Sequence, residues 1–280
     1  MIQVGKYKIE SIETASFALD GGAIFGIIPK TLWEKTNQAD EKNRIPLTAR
    51  CLLLQSDSKK ILVETGIGRE WDDKFKSIYK VDDTNDLIES LKIKGVFPED
   101  ITDVILTHLH FDHVGSAVTY ENNKLVPAFP NAKYHVQKKQ FEWAQNPSDK
   151  DRGSFIKEKF IPLAEEGVLQ LWTDTQFDDE IEFIIVNGHT IAQQLVKFSD
   201  GNDTYLYAAD LIPVYAQIQI PYIMGYDIQP LETVKEKKLI LPKAVEENWK
   251  LIFEHDTSTA MATVKRTDKG FMVKERFQEL

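Results

Sequence analysis

The sequence predicts an α/β fold, a four-layer αββα sandwich formed as a single domain over residues 1–280. Two observations carry this expectation. Short apolar runs suited to buried strands recur in both halves of the chain, separated by charged segments with helical spacing. Four of these runs end at or just before a residue able to hold a metal: Val104 to Leu106 before His108, Phe183 to Val186 before His189, Tyr205 to Ala209 before Asp210, and Leu251 to Phe253 before His255. Two sheet-forming halves, each delivering such residues from one edge, imply a sandwich.

Composition sets the bounds. With 42% hydrophobic and 28% charged residues the chain has the balance of a folded protein with a sizeable core. A net charge of -10 argues against a nucleic-acid partner, because phosphate binding needs clustered Lys and Arg. Met1 to Glu10 lacks the apolar core of a secretory signal, and no apolar run is long enough to span a bilayer. The expectation is a cytoplasmic protein with no membrane partner. The lone Cys51 lies in an apolar stretch and reads as a buried strand residue.

Taken in order, Lys6 to Thr14 reads as the first strand. Leu19 to Pro29 (L-D-G-G-A-I-F-G-I-I-P) carries three glycines among large apolar residues. It is either a connector packed on the core, or a loop that overhangs the metal site or makes a homodimer contact. Pro46 to Gln55 and Lys60 to Val63 form a hairpin over Ser56-Asp57-Ser58. Arg69 to Asp83, with Trp71, Phe75 and Tyr79 at spacing four, is a surface helix or lid whose aromatics face inward. Asp86 to Gly95 is a second helix, stopped by its glycine. Ala132 to Val136 is a strand and Lys138 to Gln145 a helix ended by Asn146-Pro147, and Lys150 to Glu166 is helical. Ile181 to Val186, Gln194 to Phe198 and Thr204 to Ala208 are strands, the last two joined by Asp200-Gly201-Asn202-Asp203. The link from Asp210 to Leu231 holds Tyr215, Tyr222, Met224 and Tyr226, is stiffened by Pro213 and Pro221, and contains no Lys or Arg. Because it starts at a candidate ligand, it is expected to line the substrate pocket. Leu231 to Trp249 reads as a helix interrupted at Pro242, and Met261 to Thr267 with Phe271 to Phe277 as a last hairpin.

The chemistry centres on Thr107 to Gly115, T-H-L-H-F-D-H-V-G, which sets His108, His110, Asp112 and His113 within six positions. In an extended segment alternate side chains share a face, so His108 and His110 can bind one ion together. Asp112 and His113, beside the turn that Gly115 allows, serve a second direction. Four ligands cannot fill two sites, which makes His189, Asp210 and His255 the downstream candidates. His135, in K-Y-H-V, stays outside the pattern and reads as structural.

T-H-L-H-F-D-H, then G-H-T at Gly188 to Thr190, A-A-D ending at Asp210 and E-H-D around His255 together resemble the metallo-beta-lactamase superfamily, over about residues 45–260. The resemblance implies that His108, His110 and His189 hold one metal, that Asp112, His113 and His255 hold the other, and that Asp210 bridges them. Family members carry Asp-Thr-Gly, whose carboxylate supports the ligand loops, where this chain has Glu64-Thr65-Gly66. They follow G-H-T with Pro-Gly, where this chain has Ile191 and Ala192, so a less glycine-dependent turn is expected. In lactonase-like members an N-terminal loop covers the pocket, which singles out Phe25. Their tyrosine three residues past the aspartate falls on Pro213 here, which leaves Tyr215 as its replacement.

Imidazole and carboxylate ligands without thiolate suit zinc, and also admit iron, manganese or cobalt. Members with diiron redox chemistry carry a glutamate in place of His110, which favours hydrolysis. The expectation is therefore a hydrolase with two divalent ions, Zn2+ foremost, whose metal-bound hydroxide opens a lactone or activated ester of a small molecule. Asp112, Asp210 and Tyr215 are the catalytic candidates, and Phe25, Tyr215, Tyr222 and Met224 the substrate contacts. Classical β-lactamases of this family lack the bridging aspartate, and its nucleases need basic surface. The alternatives are a phosphotriester hydrolase and, from another class, a catalytically degenerate ligand-binding sensor.

Overall fold

The computed structural model describes residues 1–69 and 71–280. Its strands are β1 (Ile2–Val4), β2 (Tyr7–Ile12), β3 (Ser16–Asp20), β4 (Arg44–Thr48), β5 (Cys51–Gln55), β6 (Lys60–Val63), β7 (Asp103–Ile105), β8 (Val118–Glu121), β9 (Lys124–Pro127), β10 (Lys133–Gln137), β11 (Leu169–Trp172), β12 (Ile181–Val186), β13 (Gln193–Ser199), β14 (Thr204–Tyr207), β15 (Lys250–Ile252), β16 (Met261–Thr267) and β17 (Gly270–Phe277). Its α-helices are α1 (Gly21–Phe25), α2 (Lys30–Trp33), α3 (Asp73–Tyr79), α4 (Leu87–Ile93), α5 (Phe111–Val114), α6 (Lys138–Gln145), α7 (Ile161–Glu165) and α8 (Pro230–Glu246). No helix among the described residues is long and apolar enough to cross a membrane.

The chain folds as two compact units, Met1–Ser16 with Ala49–Asp174, and Phe17–Thr48 with Thr175–Leu280. The first is built on a seven-stranded sheet in the order β1-β2-β5-β6-β7-β10-β11. Its β1 to β6 portion is antiparallel, and β6, β7, β10 and β11 run parallel. Parallel neighbours need long crossovers, and these carry α3 to α7. Leu53, Leu62, Val104, Leu106, Tyr134 and Val136 from the sheet pack with Leu87, Leu91, Phe160 and Leu163 in its core.

The second unit is a six-stranded sheet in the order β12 to β17. Every pair is antiparallel except β14 with β15, whose crossover is the Asp210 to Leu231 link followed by α8. The two-stranded β3–β4 ribbon accompanies it.

Two expectations hold residue for residue, β12 and α6, and the hairpin turns at Ser56–Ser58 and Asp200–Asp203 are found where expected. Others are corrected. The predicted strand Pro46 to Gln55 is two strands, β4 and β5, that belong to different units, since the chain changes unit between Thr48 and Ala49. There Arg50, almost wholly buried, pairs with Glu13 at 3.2 Å. Leu19 to Pro29 is not irregular: Asp20 caps α1 by accepting the Ala23 amide at 2.8 Å. The predicted helix 69–83 contracts to α3, capped by Asp72 and stopped by Lys80 at φ 48°; Glu70 lies outside the described residues. Lys150 to Glu166 breaks into two 3-10 turns and the short α7, which starts where Pro162 is tolerated in its first turn. Pro242 does not interrupt α8. The missing amide hydrogen bond costs about 3 kcal/mol or more, and burial of Ile240, Leu241 and Ala244 on the same helix outweighs it.

Candidate metal centre

Each unit presents its own cluster of donors. In the first, β7 ends at Ile105, the chain bends at Thr107 and runs without regular structure to His110, the residue before α5. His108 Nε2 lies 3.0 Å from His110 Nδ1. Two nitrogens bound to one tetrahedral ion at about 2.0–2.1 Å would stand about 3.3 Å apart, so the pair converges as ligands of a common ion would. Asp112 and His113 sit in α5, both buried, with Asp112 Oδ1 3.8 Å from His113 Nε2. All four are therefore on one short segment, as the motif predicts.

Supports come from the neighbouring strand end. Glu64 is fully buried, accepts the Thr107 amide at 2.6 Å and brings its other oxygen to 3.6 Å from His113 Nδ1. The longer side chain thus reaches the loop that the shorter aspartate supports in the family. Thr65 binds the His113 carbonyl through both its amide and its hydroxyl, at 2.9 Å each. Gly115 admits no side chain, because a Cβ there would stand 1.9 Å from the Ile67 carbonyl oxygen.

In the second unit the donors come from three strand ends. His189 follows β12, Asp210 follows β14 and His255 follows β15. Asp210 sits between the two imidazoles: Oδ2 is 3.0 Å from His189 Nε2 and Oδ1 is 3.1 Å from His255 Nε2. Each ring is turned by a contact at its other nitrogen. His189 Nδ1 is 3.1 Å from Asp227 Oδ1, and His255 Nδ1 donates to the Thr48 carbonyl at 2.8 Å. Such contacts fix the tautomer that leaves Nε2 as the ligating atom. Burial disfavours the His189 charge, but Asp210 and Asp227 outweigh it and raise the imidazole pKa to about 9. Imidazole and carboxylate donors oriented in this way fit divalent ions, zinc included.

The backbone is strained beside these donors. Glu64, Ala192 and Ala209 hold positive φ of 67°, 55° and 41°, a region that costs a non-glycine residue roughly 1–2 kcal/mol. Ala192 occupies the glycine position of the family turn, and the expectation of a less glycine-dependent backbone there is corrected. The left-handed conformation remains, and the Asn187 side chain accepts the Ala192 amide at 3.0 Å to hold it.

The predicted substrate contacts lie in the second unit. Phe25 is fully buried, stacked on Trp33 at 5.4 Å and edge-on to Tyr222 at 6.3 Å. Tyr215 lies under the Arg276 guanidinium, 3.9 Å from its ring centre, and its amide donates to Asp256 at 3.0 Å. With Tyr222, Leu32 and Phe271 it borders a groove of about 260 Å³ to which no candidate ligand contributes. Met224 is buried and donates its amide to Asp227 at 3.3 Å. In the first unit Trp71, Phe75, Tyr79 and Phe111 form a connected aromatic cluster, and Phe155 packs on His110 at 4.6 Å. Burial and the nearby Asp112 carboxylate hold the Tyr79 hydroxyl in its protonated form by raising its pKa.

Asp227 is the functional residue that sequence reading passed over. It is the one acidic residue between Asp210 and Glu232, an unusual charge in an otherwise apolar link, and that was the available signal. His135 is satisfied on both sides, by Asp103 and Trp172 at 2.8 Å each, as a structural histidine would be.

Comparison with known proteins gives the family and the fold. Residues 44–255 match the model of the metallo-beta-lactamase superfamily, and the chain belongs to that family. An N-acyl homoserine lactonase of Bacillus cereus is 24% identical over 162 residues, a stretch that covers 54% of this chain and 58% of the relative, so the match spans little more than half of that protein. The structure of a probable metal-dependent hydrolase from Staphylococcus aureus superposes with a TM-score of 0.90 at 24% identity, over 99% of this chain and 98% of that one. AidC, a dizinc quorum-quenching lactonase, superposes with a TM-score of 0.81 at 22% identity, over 99% and 97% of the two chains. These likenesses establish the fold as the four-layer αββα sandwich of the family.

Proposed function

We propose that the protein is a dinuclear metallohydrolase, a single cytoplasmic domain that opens lactones or activated esters of small molecules. His108, His110 and His189 would hold one ion, Asp112, His113 and His255 the other, and Asp210 would bridge them. The observation that carries this reading is Asp210 itself, whose two carboxylate oxygens each face a different imidazole at 3.0 and 3.1 Å. A carboxylate serving one ion has no need of that arrangement.

Two divalent ions would supply an activated water near neutral pH and polarise the scissile carbonyl. The protein's own residues orient those ions. Asp227 and the Thr48 carbonyl turn the imidazoles of the second unit, while Glu64 holds the backbone from which those of the first project. Substrate choice falls to the apolar Tyr215 to Tyr226 segment. Ile212 to Pro230 contains no Lys or Arg, so it offers no clamp for the carboxylate of a β-lactam. Arg276, beside Tyr215, already donates to Thr259 and Ser258. The lactonase relatives favour the same substrate class.

A panel of lactones, aryl esters, phosphotriesters, thioesters and β-lactams on zinc-loaded protein tests the proposal. Lactones or esters should give the highest kcat/KM, and metal analysis should give two ions per chain. Faster turnover of β-lactams, or a single tight ion, would overturn it.

A further inference from the structure

Helix α8 buries three polar side chains on one turn: Thr233, Glu236 and Lys237, 1%, 7% and 0% exposed. Their i, i+3 and i+4 spacing puts them on one face, and each holds something different. Thr233 donates to Asp227 Oδ2 at 2.9 Å, the carboxylate whose other oxygen faces His189. Glu236 accepts the amides of Asn187 and Gly188, at 2.5 and 3.2 Å, just before His189. Lys237 places its ammonium on three backbone carbonyls, those of Gln217, Gln219 and Tyr222, at 2.5, 2.7 and 2.8 Å.

A fully buried ammonium is expensive to desolvate, and an apolar side chain would fill the same space at less cost. Here its three N–H groups meet three carbonyls of one segment that, beyond Ile218, has no regular structure until α8. The other face of the segment is tied to α1. Gly225 donates to the Ala23 carbonyl and the Gln217 side chain to the Ile24 carbonyl, both at 2.8 Å. Gly26, at φ 58°, leaves room for the Ile223 carbonyl, which a Cβ would meet at 2.8 Å.

We propose that Lys237 is a positioning residue that fixes the 217–222 backbone, and with it Tyr215, Tyr222 and Met224, so that it governs substrate recognition while Thr233 and Glu236 govern His189. This inference rests on the hydrolase reading above for its kinetic part only. The side chain touches none of the candidate ligands, so its loss should leave metal binding intact.

The test is Lys237→Met, which keeps length and apolar volume but removes all three donors. Amide hydrogen exchange across 215–226 should speed up about tenfold or more, in metal-free and zinc-loaded protein alike. For lactones of graded alkyl chain length, KM should rise about tenfold while kcat falls less than about threefold, with bound zinc unchanged. Unchanged exchange and KM, or parallel loss of zinc and kcat, would overturn the proposal. If no lactone or ester is turned over, the hydrolase reading fails, and the exchange rates still decide the role of the lysine. Should Lys237→Met not fold, Lys237→Gln retains two N–H groups and should give intermediate exchange; wild-type exchange in that variant would equally refute the clamp.

Discussion

The two units solve the same problem in opposite ways. In the first, four donors lie on one segment, and that single segment is held by Thr107 beside His108 at 2.9 Å and by Glu64, from the neighbouring strand end, on the Thr107 amide. In the second, three donors arrive from three strands, and each imidazole is turned by a residue far away in sequence, Asp227 at a separation of 38 and Thr48 at 207. A contiguous motif can be held as one piece, here by Glu64 and Thr65 at one strand end. Dispersed ligands need a dedicated buried scaffold, which here is the polar face of α8 with Asp227.

The greatest effect should come from the residue that joins the dispersed set. Asp210→Ala is expected to lower kcat/KM about a thousandfold or more and to reduce bound zinc below two ions per chain, read by steady-state kinetics and metal analysis. Next is the contiguous motif's own weak point, its turn. Gly115→Ala forces a Cβ against the Ile67 backbone, which cannot rotate away, and should cost about 3 kcal/mol or more in denaturant unfolding.

The comparison sharpens at the supporting contacts. Asp227→Asn should weaken zinc affinity about 10–100-fold, and Thr107→Val, where a neighbouring residue is replaced, should weaken it less than about tenfold. Equal losses in competitive zinc titrations would show that dispersed and contiguous ligands depend alike on their supports.

A smaller effect is a pH signature of the scaffold. Burial pushes the Lys237 pKa down to about 7, against the pull of Asp227, whereas an unfolded lysine titrates near 10.4. Between these values the unfolded chain holds more protons. The lysine's contribution to stability is therefore fully present above about pH 10.4 and is lost as pH falls through about 7, at up to about 1.4 kcal/mol per pH unit. The Tm difference between the wild type and Lys237→Met should widen in favour of the wild type from pH 7 to pH 9; a constant difference would mean that the three carbonyls fully compensate the buried charge and leave the pKa unshifted. The least effect is expected of Tyr215→Phe, about twofold or less in kcat, because its ring is engaged by Arg276 in a groove that no candidate ligand borders.

The same contrast explains what was legible in the sequence. The candidate donors of both units could be read, from the T-H-L-H-F-D-H spacing in one and from the apolar runs that end before His189, Asp210 and His255 in the other, and β12 and α6 follow from local patterning alone. The division of Pro46 to Gln55 between two units could not be read, since Ile45, Leu47, Cys51 and Leu53 are all apolar and buried and nothing local marks the change of sheet. The continuity of α8 through Pro242 depends on tertiary burial that overrides propensity. Asp227, Glu236 and Lys237 escaped notice because buried polar groups that serve the backbone look, in sequence, like ordinary surface charges.

The hydrogen bond from His255 to Thr48 also sets an order of events during synthesis. The carbonyl that turns this imidazole is made 207 residues before the ring it turns. At about 5–20 residues per second, a ribosome would take on the order of ten seconds or more to cover that interval. Through that time His255 has not yet been made, while the whole H-x-H-x-D-H segment already has. A nascent chain can therefore display the contiguous donors long before it can complete the dispersed set, and His255 takes its orientation only when nearly the last strand is in place.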